Sequence, residues 1–289
     1  MKHIKLFEAF STPTLTEDQK IWLDECARGS WNLNPSTGLV DVDGDFDCYQ
    51  QDLTDFKGVA FGHVKGNFYC SGNPLTSLEG APKTVNGDFY CGSNQLTSLK
   101  GAPETVGGYF DCADNQLTSL EGAPQTVGGF FYCNNNQLTS LVGAPKTVKG
   151  DFLCHYNQLT SLEGAPKTVK GNFNCANNQP FLTSLVGAPK TVDGYFNCAK
   201  NQLTSLEGAP ETVGWGFYCA SNSVSEETLA SIFKIMKNGK SYQQALEEHW
   251  SEMDNDDRLL MYKDHRSLTP EEIRRYDALA TVNRIKNYL

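Results

Sequence analysis

The sequence lacks several things, and each absence excludes a class of function. It has no run of about 18 apolar residues, so no membrane-spanning helix is expected. It has no basic segment: six basic residues face eleven acidic ones in 1–65, eight face eleven in 66–222, and the net charge of the 289 residues is −10. A nucleic-acid or other polyanionic partner would need a positive footprint, so none is expected. Histidine occurs five times and scattered. No nucleophile–base pair, phosphate loop or Cys-x-x-Cys cluster accompanies it, so neither an enzyme nor a metal or other cofactor is expected.

What is present is repetition. Cysteines fall at 48, 70, 91, 112, 133, 154, 175, 198 and 219, and only Cys26 stands outside the series. The phrase NQLTSLEGAP at 115–124 recurs, closely or loosely, from Asn73 to Asn201. A spacing of 21 to 23 residues marks a solenoid, in which each unit buries its apolar face against the next. In the unit 108–128, GYFDCADNQLTSLEGAPQTVG, the alternation around Phe110 and Cys112 predicts a half-buried strand. Leu117, Leu120 and Val127 supply the other inward groups. In-register stacking would place each Phe on the Phe of the next coil. Asn recurs three residues after each Cys, and its amide can satisfy the backbone of a buried turn in every coil. Gly-Ala-Pro then turns the chain.

The motif F-x-C-x-x-N-x-L resembles the leucine-rich repeat core L-x-L-x-x-N-x-L, with Phe and Cys in two Leu positions. The unit length and the Pro after the second Leu resemble the short bacterial type. The resemblance covers residues 44–222, eight to nine coils. It implies an α/β solenoid, a right-handed coil with a parallel sheet on its concave face, and a scaffold that binds a partner. Bacterial effectors that join such repeats to a ubiquitin-ligase domain need a C-terminal Cys. None follows Cys219, so that activity does not carry over. The start, MKHIKLFEAF, has no long apolar core or cleavage site, so a secretory signal is not expected. It loosely resembles the M-K-x-x-x-x-F leaders of tailed-phage proteins, some of which direct packaging.

The cysteine series is read as a buried ladder of reduced thiols. Parallel side chains of equal neighbours do not aim at one another for pairing, and reduced thiols suit a cytoplasmic location. Helical caps are expected at both ends. In 1–43, Thr16 would begin a helix that Gly29 stops, with Ile21, Trp22 and Cys26 on its inner face. Residues 223–289 read as helices near 225–237, 241–253, 256–264 and 270–288, either a cap or a small domain. Asp41, Asp43, Asp45 and Asp47 alternate and are expected on one exposed acidic face, since the calcium-loop pattern is incomplete.

Because the repeat is uniform, information lies where it varies, on the outward strand positions. There Tyr69, Tyr90, Tyr109, Phe130 and Tyr132 form an aromatic patch, with Asp88 and Asp111 beside it. Exposed aromatics flanked by polar groups suit binding hot spots, and the acids favour a basic protein partner. The expected function is a non-enzymatic protein-binding scaffold, phage-encoded and acting on a host factor. A structural or virion-associated strut is the first alternative. An ice or carbohydrate binder is the second, using Thr97, Thr118, Thr139 and Thr160 of the LTSL segments.

Overall fold

The structure is a computed structural model, and it describes residues 13–224. The leader at 1–10 and the C-terminal helices expected beyond 224 lie outside the described residues. The chain forms a right-handed parallel β-solenoid of about nine turns. Each coil contributes two short strands to two sheets. One sheet has nine strands of the Phe–Cys type, from Phe46–Asp47 to Gly216–Tyr218. The other has ten, and seven of them are Thr–Val pairs, from Thr84–Val85 to Thr212–Val213.

This second sheet departs from the single parallel sheet expected. Its Thr–Val strands are only two residues long, too short for alternation to show in the sequence. They exist because coils stack in register: Thr105 pairs with Thr126, and Val106 with Val127. Val turns inward and is buried, while Thr faces out.

The core is a set of ladders. Nine Phe rings, from Phe46 to Phe217, succeed one another at 5.1 to 5.5 Å. Beside them lie the two Leu of each LTSL segment, the Val of the second sheet and the cysteines, all buried through the central coils. All ten cysteines are thiols, none joined in a disulfide. Several thiols donate to a carbonyl of the next coil, as Cys70 Sγ does to Tyr90 O and Cys112 Sγ to Tyr132 O, each at 3.2 Å. The ladder Asn is buried from Asn73 to Asn201. Asn136 Nδ2 donates to the carbonyls of Cys112 and Cys133, and its Oδ1 accepts from Leu117 N–H at 2.9 Å. One side chain thus ties two coils and closes the turn between them. Gly of Gly-Ala-Pro sits at positive φ in each coil; at Gly122 (φ +92°) a Cβ would also approach Leu99 O to 2.7 Å.

At the N-terminal end, helix α1 (Glu17–Cys26) begins at Thr16, whose capping box with Gln19 is complete. Its inner face is Trp22, Leu23 and Cys26, not Ile21, which is exposed. Trp22 meets Phe46 and Phe61 edge-on at 5.3 and 6.2 Å. The helix ends at Cys26, before Gly29, because the chain there turns extended to pair with the solenoid. Arg28 N–H donates to Asp45 O, and strand β1 (Ser30–Leu33) runs antiparallel to β2 (Val40–Asp43). Residues 27–33 therefore line the first edge of both sheets. Helical caps at both ends are not supported: α1 is the only helix among the described residues.

The four alternating acids do not share a face either. Asp41 and Asp43 belong to β2 in the second sheet, whereas Asp47 belongs to the first Phe–Cys strand and Asp45 adjoins it. Gly44, at φ +156°, turns the chain between them.

Candidate functional site

The outward face of the Phe–Cys sheet carries two side-chain columns, one just before each Phe and one just after. The column before Phe begins with Asp45, Asn67 and Asp88. Each of these uses its Oδ1 to accept the backbone N–H of its successor one coil on: Asn67, Asp88 and Tyr109, all at 2.7 Å. Asp151 and Asn172 resume this pattern at 2.8 Å. Between them the column changes to Tyr109 and Phe130, which stack at 4.4 Å with planes 6° apart.

These side chains lean on the next coil, and a glycine makes room for each. A Cβ on Gly108 would collide with Asp88 Oδ1, one on Gly129 with the Tyr109 ring and one on Gly150 with the Phe130 ring. Sequence reasoning treated this glycine as part of a uniform frame. Its recurrence two residues before every central Phe is the signal that could have revealed it, since a glycine inside a strand pattern marks close approach.

The column after Phe holds Tyr69, Tyr90, Asp111 and Tyr132, in register from strand to strand. Tyr69 and Tyr90 stack at 5.1 Å, 4° apart. Their hydroxyls bend toward the first column: Asn67 Nδ2 donates to Tyr69 Oη at 2.8 Å, and Tyr90 Oη donates to Asp88 Oδ2 at 3.0 Å. Asp111 interrupts the stack, and Tyr132 follows, tilted against Phe130 at 5.8 Å. All seven predicted residues thus lie on one face, all part-exposed. Two of them are not simply free for a partner. Asp88 spends both oxygens on Tyr109 N–H and Tyr90 Oη, and Asp111 Oδ1 accepts Ala113 N–H at 2.9 Å.

The electrostatics of this face are one-sided. Burial, then the Asp88 hydrogen bond and charge, lifts the Tyr90 phenol far above its ordinary range. Burial, with Asp151, Tyr109 and Asp111 behind it, has the Tyr132 phenol pushed up to about 12. Burial also raises the Asp111 carboxyl, against the Ala113 N–H that favours its charged form. Each group resists further negative charge.

The second sheet presents a contrasting face. Thr84, Thr105, Thr126, Thr147, Thr168, Thr191 and Thr212 form its outward column. Exposed Lys146, Lys149, Lys167, Lys170 and Lys190 flank its later coils. Lys170 and Lys190 pair with Asp193 and Glu211 at 3.2 Å. The LTSL threonines of the second alternative lie outside the named strands, as their turn-rich sequence implied, and the ordered Thr column is a different set.

Among the described residues no group of His, Cys, Asp and Glu is arranged to hold a metal, and no helix is long and apolar enough to cross a membrane. No protein-family model, curated protein or solved structure matches the chain.

Proposed function

We propose that the chain is a non-enzymatic protein-binding scaffold of the short leucine-rich-repeat type, which recognises a basic protein partner through the aromatic and acidic face of the Phe–Cys sheet. The observation that carries this reading is concentration. Five outward rings fall within four consecutive coils; the next two coils carry Asp151, Leu153, Asn172 and Asn174 in the same two columns, and only a smaller group, Tyr195, Trp215 and Tyr218, follows at the far end. The rings are held by stacking and hydrogen bonds in the free protein, so a partner would order little on binding. Aromatic groups fixed in this way are what binding hot spots use. The buried thiol ladder supports a reducing, cytoplasmic setting. The M-K-x-x-x-x-F start supports a phage origin and a host target.

The test replaces Tyr90, Tyr109 and Tyr132 together with Ser and compares capture of proteins from the source-cell lysate. The variant is expected to keep its thermal midpoint within a few degrees and to lose the captured partner. Unchanged capture sinks the reading.

A second reading draws support from the in-register Thr column of the other sheet, which offers a regular array to ice or a carbohydrate. Thermal hysteresis and a glycan array test it, with Thr126→Tyr/Thr147→Tyr as the blocking variant. Activity of the native chain that this variant abolishes would favour it.

A further inference from the structure

The ring series Tyr69–Tyr90–Asp111–Tyr132 has a gap in it. Three in-register strands carry Tyr90, Asp111 and Tyr132 at the same position. With strands about 4.8 Å apart, the two tyrosines flank a space about 10 Å from ring to ring. A group at its midpoint would lie about 5 Å from each ring, inside the roughly 6 Å reach of a cation–π contact. On one side of the space stands Tyr109, from the same coil as Asp111 and fixed by its stack on Phe130. On the other stands the Asp111 carboxylate, drawn over Gly92. A Cβ on Gly92 would come to 3.1 Å from Ala113 O and 3.2 Å from Asp111 Oδ1, so the glycine gives this acid room that a larger residue would take back by a few tenths of an ångström.

Among the described residues, every charge that acts appreciably on Tyr90, Asp111 and Tyr132 is negative. These are Asp88, Asp111, Asp114, Asp151 and neighbouring phenols. Among the described residues, the one cation seated on an aromatic ring is elsewhere, Lys57 over Trp22 at 5.2 Å. A half-buried carboxylate between aromatic walls has the chemistry of a cation receptor.

We infer that the space between Tyr90 and Tyr132, bordered by Asp111 and Tyr109, is a slot for a single positively charged side chain, the arginine guanidinium or lysine ammonium of the partner protein. This rests on the reading of the face as a partner surface and names what the partner must bring. The slot takes one side chain because the column closes on both sides of it. Tyr69 stacks on Tyr90 before it, and Phe130 leans against Tyr132 after it. Asp88 is spent within the face, so Asp111 is the acid that meets the ligand.

The test uses the full chain and small probes at fixed salt: Nα-acetyl-arginine amide, Nα-acetyl-lysine amide and the neutral isostere Nα-acetyl-citrulline amide. Binding is read from the ring-proton shifts of Tyr90 and Tyr132. A cationic probe is expected to saturate and to bind at least about tenfold tighter than citrulline, as a cation–π site with a carboxylate requires. Stronger binding of arginine than lysine would assign a guanidinium, and the reverse an ammonium. Asp111→Asn keeps an acceptor for Ala113 N–H, and its thermal midpoint checks that it folds. It is expected to lose most of the preference for charge while leaving citrulline unchanged. Equal shifts from all three probes, or full preference in Asp111→Asn, overturns the slot. If the slot fails in this way while the triple Tyr→Ser variant still loses its partner, the face stands and only the slot is wrong. If cations bind selectively but the triple variant keeps its partner, the slot stands and the partner surface is elsewhere.

Discussion

Asn115 reaches back across a coil to Cys91: its Nδ2 donates to the Cys91 carbonyl at 3.0 Å, and to Cys112 O of its own coil at 3.2 Å. Its Oδ1 accepts Leu96 N–H at 2.9 Å. All these groups are buried, so no water stands ready to replace the amide. The Cys-x-x-Asn spacing is therefore a coil-to-coil fastener, repeated down the array.

Asn115→Ala is expected to destabilise the protein by about 2–4 kcal/mol, because it strands buried backbone groups that each cost about 1–3 kcal/mol when unpaired. Asn222→Ala, at a partly buried site near the end of the series, should cost clearly less. Chemical denaturation measures both. Equal costs would mean that the amides do not act through burial.

Gly129→Ala should damage the aromatic face from beneath. The backbone of Gly129 is not at positive φ, so the penalty is steric: the new methyl meets the Tyr109 ring. A loss of about 1–3 kcal/mol is expected for such overpacking. Tyr109→Ser in the same chain should recover most of it, because the obstruction is then gone. A double-mutant cycle reads this coupling, and additive costs would show that Tyr109 is not what the methyl strikes.

How much of this was legible follows from the length of each pattern. The Phe–Cys strand shows five alternating letters, and the buried Phe110 and Cys112 and the outward Tyr109 and Asp111 follow from them. Thr126–Val127 shows only two letters beside a Gly-Ala-Pro turn. Nothing local distinguishes it from a loop, and its pairing arises only when coils stack. The four aspartates misled because alternation was read straight through Gly44, where the chain passes from one sheet to the other. On α1, the buried Leu23 and exposed Ile21 follow helical spacing, since at about 3.6 residues per turn Leu23 lies about 60° from Cys26 and Ile21 about 140° from it. Only the helix end, set by the antiparallel pairing of residues 27–33, is something no helical period reports. At the candidate site the residues were readable and their commitments were not. That Asp88 is consumed by Tyr90 and Tyr109, while Asp111 stands between two rings, depends on the lean of Asp88 toward the next coil and of Asp111 back over Gly92 of the preceding one.

Alkali should dissolve the fold. Burial raises nine thiols, from Cys26 to Cys198, above their ordinary value of 9.0. A group whose pKa is higher in the folded state gives stability that is full below its unfolded pKa and lost as pH rises toward the folded one. Each thiol then withdraws about 1.4 kcal/mol per pH unit above 9. The eight fully sealed ones, from Cys48 to Cys198, together withdraw about 11 kcal/mol by pH 10, comparable with the whole stability of an ordinary domain. Circular dichroism and thiolate absorbance should therefore change together, in one steep step between about pH 9 and 10. Thiolate absorbance rising while the fold persists would contradict the sealed ladder.

In-register stacking also separates reach from message. Residues 137–157 span one repeat, and without them Asn136 would be followed by Gln158 in the place of Gln137. Phe131 would then neighbour Phe173, Asn136 would meet Asn178, and Phe130 would rest on Gly171 instead of Gly150. Every fastener finds an equivalent partner, and the surface from Tyr69 to Tyr132 is untouched. A gene built this way can lengthen or shorten its product by whole coils through duplication or excision, while the text on its face is edited one letter at a time.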